Sequence, residues 1–582
     1  MPWTIAIAPP WMRSARLNRS IAVVAVLIML MRIVHCMLLF NSTVDEPFHI
    51  ASAVTMYDTG KEISGVEQPP VTRIVSGLAL YLRGVHLPQR EASNAVVSLP
   101  ETFNQGTQIL FHNNLSYWPL LKTARLSMLV FPIAGLFFLY LLAAWIGNEF
   151  IAAMSVVFFS LDPSFLGHSA WVHNDVAACS AYLAATYFGA RWIVLGGMRR
   201  GILTGVAVAL AIGSKFSCVV ILPALVLLML VLPFCDWTKE KPKTLRQYLR
   251  RWPPVTQIAA AALVAFVTIW GTYFFDVDRL SNQTMFMDPG SNFLKIPAAI
   301  RNTETPMPSF TLGLMALVQH NKRNHNYLNG QFNETGWWYY FPEALAIKEP
   351  IGLLAGLLVA ACLLLLPSFR AYRGQIAIIL IPPGVLMAVA LRSHIDIGIR
   401  HILPVLPFLY LLVCFMLIQA GRKGLALLGA LIAFALVESA WIAPNYAEFF
   451  NLLAGGPAQG TKYLLDSNID HGQDIAQLAE WLHSDEARQR KYSLRLFVFP
   501  DKSLINALGL DTTAIFRNTD GGGLVAISKN IRYGLSPGVT EDWVLQPKED
   551  YSWLAKYPVV KRFGYSIDVY DLDAPLKTAS VK

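Results

Sequence analysis

Apolar and polar positions in this chain alternate in long blocks, not at the short period of a surface helix or strand. Runs of about 20 apolar residues, enough to cross a bilayer core of about 30 Å, recur as far as Ile442. The clear ones are Ile21–Phe40, Leu120–Ile146, Val176–Leu195, Val255–Phe274, Ile351–Leu366, Ile376–Leu391, Ile402–Ile418 and Leu425–Ile442. Each predicts a transmembrane helix. The stretches Phe150–Asp175 and Ile202–Phe234 are harder, and the basic clusters resolve them. Arg13/Arg16/Arg19, Arg191/Arg199/Arg200, Lys239–Arg251, Arg370/Arg373 and Arg422/Lys423 all belong on the cytoplasmic side. Ile202–Phe234 must then cross twice, broken at Gly213-Ser214-Lys215, and Phe150–Leu161 must cross once. About eleven spans result, with the N-terminus inside and the C-terminus outside.

Two of these spans are only a dozen residues long. Phe150–Leu161 and Ile202–Gly213 reach about 18 Å at 1.5 Å per residue, too short for the bilayer core. The turns after them carry Asp162, His168, His173, Asp175 and Lys215. Polar backbone at that depth survives only where protein buries it or water reaches it. The expectation is a polar hollow opening to the outer leaflet, whose ligand is partly lipid.

Composition agrees with the block pattern and narrows the class. Hydrophobic residues make up 54% and charged residues 15%, too apolar for a soluble chain of this length. The net charge of +9 lies in short clusters between apolar runs, so it indicates membrane orientation and not nucleic acid. The six cysteines show no CxxC or metal-ligand spacing. Residues 1–446 read as the membrane domain, with outer loops 41–119 and 276–349. After Pro444 the chain turns polar, with a helical pattern at Gln473–His483 and strand patterns at Leu494–Phe499 and Gly523–Ser528. Residues 447–582 therefore read as a small soluble extracytoplasmic α/β domain.

The most informative pair is Asp45-Glu46, a few residues past the first run. Acids at a membrane boundary are expensive, and by default they mark function; the alternative is a solvated pair. Lys215 either faces an anion or snorkels to the interface. Arg400 has a planar fork that suits phosphate, and it serves equally as an interfacial anchor. Arg125 is a weaker version of the same idea. Asp175 either caps a helix or binds sugar or acceptor. His168 and His173 match no zinc spacing. Trp337 and Tyr340 offer sugar-stacking faces or an aromatic belt.

In order, these motifs resemble the GT-C class of lipid-carrier-dependent glycosyltransferases. The group is the one containing protein O-mannosyltransferases and the bacterial aminoarabinose transferase acting on lipid A. The matching residues are Asp45-Glu46, Gln68-Pro69-Pro70, Leu161-Asp162-Pro163, His168-Ser169, Asn174-Asp175 and Gly213-Ser214-Lys215-Phe216. They continue with Gly336 to Pro342, Lys348-Glu349-Pro350 and Gly398-Ile399-Arg400-His401. The resemblance implies a polytopic α-helical membrane protein of GT-C fold. It also implies transfer of a sugar, with inversion, from a polyprenyl or dolichyl phosphate to an acceptor hydroxyl on the outer face. Asp45 is then the general base, with Glu46 a helper or structural partner. Lys215, Arg400 and Arg125 hold the donor phosphate, and Asp175, His168, His173, Trp337 and Tyr340 meet sugar or acceptor. No cofactor and no catalytic metal are implied. The expected partners are membrane lipid, the carrier-linked sugar and a protein, lipid or glycan acceptor, with no nucleic acid. The expected location is a bacterial inner membrane, with the endoplasmic reticulum as the alternative. A transporter or flippase of a lipid-linked sugar is the competing reading. Such proteins tend to carry pseudo-symmetric halves, and the chain has no internal repeat.

Overall fold

The computed structural model describes residues 10–88, 96–235, 252–282, 296–322, 324–498, 502–514, 522–535 and 551–576, with positions 244 and 247. Most of the Lys239–Arg251 cluster and position 499 of the expected strand lie outside the described residues.

The membrane part is a helix bundle. Among the described residues, seven helices are long and apolar enough to cross a membrane: Ala15–Leu39, Tyr117–Ile146, Phe216–Phe234, Val255–Thr272, Pro367–Ala390, Ile399–Gln419 and Arg422–Trp441. A further apolar pair, Tyr340–Lys348 and Ile351–Leu364, is bent by 117° at its break, the form of a broken span or of a re-entrant loop. Pro350 separates the two halves and supplies no N–H to continue the helix. The other three predicted crossings appear as the helices Glu149–Phe159, Asp175–Leu195 and Met198–Ser214. Glu149–Phe159 is as short as expected, at 11 residues. Met198–Ser214 is longer than the predicted dozen, at 17 residues, because Met198, Arg199 and Arg200 join its first turn. It ends at Lys215, which is extended, as the Gly213-Ser214-Lys215 break predicted. Ile399–Gln419 is the innermost span, with 89% of its apolar window buried.

At the end of the bundle away from Arg13, the first loop folds into helices Glu46–Thr59, Val71–Tyr81 and Leu99–Phe111. After Trp441 the chain crosses this same end through a series of 3₁₀ turns, including Asp466–Asn468, and enters helix Ile475–Leu482. Four strands follow in the spatial order Tyr492–Arg495, Leu524–Ser528, Ile567–Asp571, Val559–Phe563, of which only the first pair is parallel. Leu524–Ser528 is buried on both faces, as expected of a near-continuous apolar strand. One of its faces packs with Ile475, Leu478 and Leu482. That apolar cluster runs on without a break to Ile50, Val54 and Leu120 of the first loop and the second span. The outer elements therefore share a core, which fixes the segment after the last span against the Asp45 loop.

Candidate functional site

Asp45 is the N-cap residue of helix Glu46–Thr59, with Pro47 in its first turn. A helix N-terminus carries partial positive charge, which favours a carboxylate there. Gly106, from the neighbouring helix, lies against that turn: a Cβ built on it would meet the Pro47 carbonyl oxygen at 2.0 Å. Gly106→Ala must therefore displace the turn that carries Asp45. We expect it to cost about 1–3 kcal/mol, read as apparent melting temperature of the purified protein. A wild-type value would show that the turn has room to move.

Asp45 Oδ2 accepts from Arg400 Nη1 at 2.7 Å, and His471 Nε2 lies 3.6 Å from the same oxygen. The Asp45 side chain is 30% exposed, whereas Arg400 is 12% exposed. Burial by itself would raise the Asp45 pKa. The Arg400 guanidinium overrides this and holds the carboxyl well below the usual range. Lys215 Nζ donates to Asp175 Oδ1 at 2.6 Å, and the Asp175 charge is felt by Arg400 and His168. Asp45, Arg400, Asp175 and Lys215 thus form one array, built from four separate segments. The Gln68-Pro69-Pro70 motif supports it: Thr72 Oγ1 donates to Asn174 Oδ1, and Asn174 Nδ2 donates to the Pro69 carbonyl at 3.4 Å. His173 Nε2 lies 3.2 Å from Thr43 Oγ1, and the His173 ring packs between those of His49 and His471.

Of the two roles expected of it, Glu46 takes the structural one, and Arg125 is its partner and not a phosphate ligand. Both are fully buried. Arg125 Nε and Nη2 donate to the two Glu46 oxygens at 2.7 and 2.6 Å. Arg125 also donates to the carbonyls of Met37, Phe40 and Asn41. Glu46 in turn accepts from the backbone N–H of Thr43 and of Val172. The pair satisfies the last carbonyls of the first span and ties the Asp45 loop to it. No donor of Arg125 faces outward for a phosphate, and Glu46 does not reach the surface to help a reaction. Tyr340 is likewise buried in the apolar core, with its hydroxyl accepting from Asn468, so neither ring face is free for a sugar. Trp337 is partly buried against that core, and its backbone N–H donates to Asp396. Lys348 is buried too, with its ammonium on the Ala447 and Asn468 carbonyls.

His168, His173 and Asp175 bring ligand atoms within 4.8 Å of one another. That spacing is close enough for one cation, but the Lys215 ammonium already occupies the Asp175 carboxylate. A divalent ion held there through Asp175 would share that carboxylate with the Lys215 ammonium.

Two residues beside the array escaped the sequence reading, both from the segment after the last span. His471 meets Asp45, and burial keeps its imidazole well below its ordinary pKa, hence neutral near pH 7. Asp466, at a left-handed φ of 60°, lies where Arg400 acts on its carboxyl. Burial still pushes that carboxyl up to about 6. The turn it belongs to is fastened to the Arg400 turn: Ser467 Oγ donates to the Ile397 carbonyl, and Ile399 N–H to Asn468 Oδ1. The available signal was the density of Asp466, Asp470, His471 and Asp474 within nine residues.

No family model matches the chain, and neither does any curated protein. Solved structures do. The undecaprenyl-phosphate-bound ArnT of Cupriavidus metallidurans is 13% identical across 96% of this chain and 98% of its own, with a TM-score of 0.44. The apo oligosaccharyltransferase of Archaeoglobus fulgidus is 13% identical across 80% of this chain and 58% of its own, with a TM-score of 0.42. The S. cerevisiae protein O-mannosyltransferase Pmt1-Pmt2 complex, bound to its sugar donor, is 15% identical. It matches 44% of this chain and 33% of its own, with a TM-score of 0.33. The chain thus spans about a third of that yeast chain.

Proposed function

We propose that this protein is a membrane glycosyltransferase that moves a sugar from a polyprenyl (or dolichyl) phosphate to an acceptor hydroxyl, with inversion, on the outer face of the membrane. The observation that carries the reading is the array itself. One partly exposed carboxylate, Asp45, is paired with Arg400, whose charge also acts on Asp175, the partner of Lys215, at the end of the bundle away from the basic N-terminus. Asp45 takes the proton of the acceptor hydroxyl as its oxygen bonds to the anomeric carbon. The bond from that carbon to the phosphate oxygen breaks on the opposite face, and the carrier phosphate leaves as a dianion. The leaving group needs positive charge more than a proton, and Arg400 and Lys215 supply it. A glycosidase, in contrast, places two carboxyl groups across the bond. The acceptor remains a protein, lipid or glycan hydroxyl, and we place the protein in a bacterial inner membrane. A flippase would require charged groups opening towards both faces, and these gather at one end.

The test is incubation of the full chain in nanodiscs with a polyprenyl-phosphate hexose or pentose and extracted envelope acceptors. Released carrier phosphate should match newly glycosylated acceptor, and a carrier sugar left intact with every acceptor would sink the proposal. Since the two cations do the work of a Lewis acid, we expect excess EDTA to leave the rate within about twofold. A collapse that zinc or manganese restores would make His168, His173 and Asp175 a metal site instead.

A further inference from the structure

Both cations that the carrier phosphate needs are already engaged. Arg400 Nη1 is on Asp45 Oδ2 at 2.7 Å, and Lys215 Nζ is on Asp175 Oδ1 at 2.6 Å. Each cation is 12% exposed, so water screens these pairs weakly. Arg400 Nε is buried and has no hydrogen-bond partner, so the guanidinium still has a donor to offer. The two carboxylates therefore stand where an arriving anion must go. For a phosphate to engage Arg400 Nη1 and the Lys215 ammonium as closely, it has to exchange one anion for another.

The exchange matters because Asp45 is also the base. A carboxylate held by a guanidinium at 2.7 Å is a poor proton acceptor. Resting on the functional reading above, we propose that Asp45 and Asp175 are resident stand-ins for the carrier phosphate, latching Arg400 and Lys215 until a lipid-linked phosphate displaces them. The catalytic carboxylate is then freed only by donor binding, and the acceptor is activated second.

The consequences for Asp45 follow from its neighbours. With Arg400 turned to phosphate, its strongest electrostatic partner is gone and burial dominates, so its pKa climbs back towards the range of a useful base. Neutral His471, 3.6 Å from Oδ2, remains beside the carboxylate. Asp466 is a third acid that interacts with Arg400, without an ion pair to it at this range, and it provides an internal control.

The experiment is equilibrium binding of undecaprenyl phosphate to the full chain in nanodiscs. Removing a latch should improve binding even where it destroys catalysis. Asp45→Asn is expected to bind about tenfold tighter or more, the worth of one charge-assisted hydrogen bond. Asp466→Asn removes a charge of the same sign near the same guanidinium but no ion pair, and should stay within about threefold of wild type. Asp175→Asn is the second latch variant. It should tighten binding in the same direction, which keeps the test open if Asp45→Asn misfolds. Wild-type binding with no gain in either latch variant, or a gain matched by Asp466→Asn, overturns the latch and leaves the proposed function intact. Failure of the wild type and every variant to bind the carrier phosphate overturns both.

Discussion

Asp45→Asn is expected to lower sugar transfer by about 10³-fold, within the range that a positioned general base contributes, while the protein still inserts and folds. The amide keeps the shape of the carboxylate and still offers Arg400 an oxygen, so the helix start and the Arg400 turn should hold. What is lost is the ability to accept the acceptor's proton. The measurement is single-turnover decay of a polyprenyl-phosphate sugar in nanodiscs, with apparent melting temperature as the control on folding. Turnover within tenfold of wild type would remove Asp45 as the base. The pH profile adds a second check. Arg400 outweighs burial and keeps the resting carboxyl well below its ordinary pKa, so Asp45 is ionised throughout pH 5–8. Transfer should show no acid limb from the resting state of Asp45 in that window.

Glu46→Gln is expected to act on folding, not on chemistry, although its carboxyl is one residue away. It would leave the Arg125 charge buried without a counter-charge. Breaking one partner of a fully buried pair costs about 3–5 kcal/mol. The expected result is a large loss of folded protein from membranes and a much lower apparent melting temperature. Arg125→Met should do the same, and it also strips the Met37, Phe40 and Asn41 carbonyls of their donor. The double variant Glu46→Met/Arg125→Met should recover part of the loss, since two apolar groups need no counter-charge, but not all of it, because those carbonyls stay unpaired. A Glu46→Gln protein that melts like wild type yet fails to transfer sugar would restore Glu46 to the reaction.

The contrast between these two neighbours shows where sequence reading stops. Asp45 and Glu46 are adjacent acids with the same local context. One is 30% exposed on Arg400 and the other fully buried on Arg125. Their partners lie 355 and 79 positions away, so nothing in the local pattern distinguishes them. Lys215 and Asp175 were each legible as functional candidates, because a charge beside an apolar run is costly. That they pair with each other was not legible. Arg125 and Tyr340 misled for the opposite reason: a charged or aromatic residue at a span boundary looks available to a ligand. Burial among the ends of other helices removes that availability. His471 and Asp466 were missed because they follow the last span and read as the start of a separate domain. The apolar cluster joining that region to the first loop brings them back over the site.

The sequence by itself determined that this is a helical membrane protein, roughly where its helices break, and which end of the bundle gathers the acids and histidines. Lipid solvates neither bare backbone nor charge, so run length and the placement of charged residues are forced locally and can be read locally. Only the tertiary structure decided which charges stay reachable and which lock the frame together. Those outcomes depend on the distance between side chains brought together from remote segments, and Coulomb attraction and desolvation change steeply over the last few ångströms.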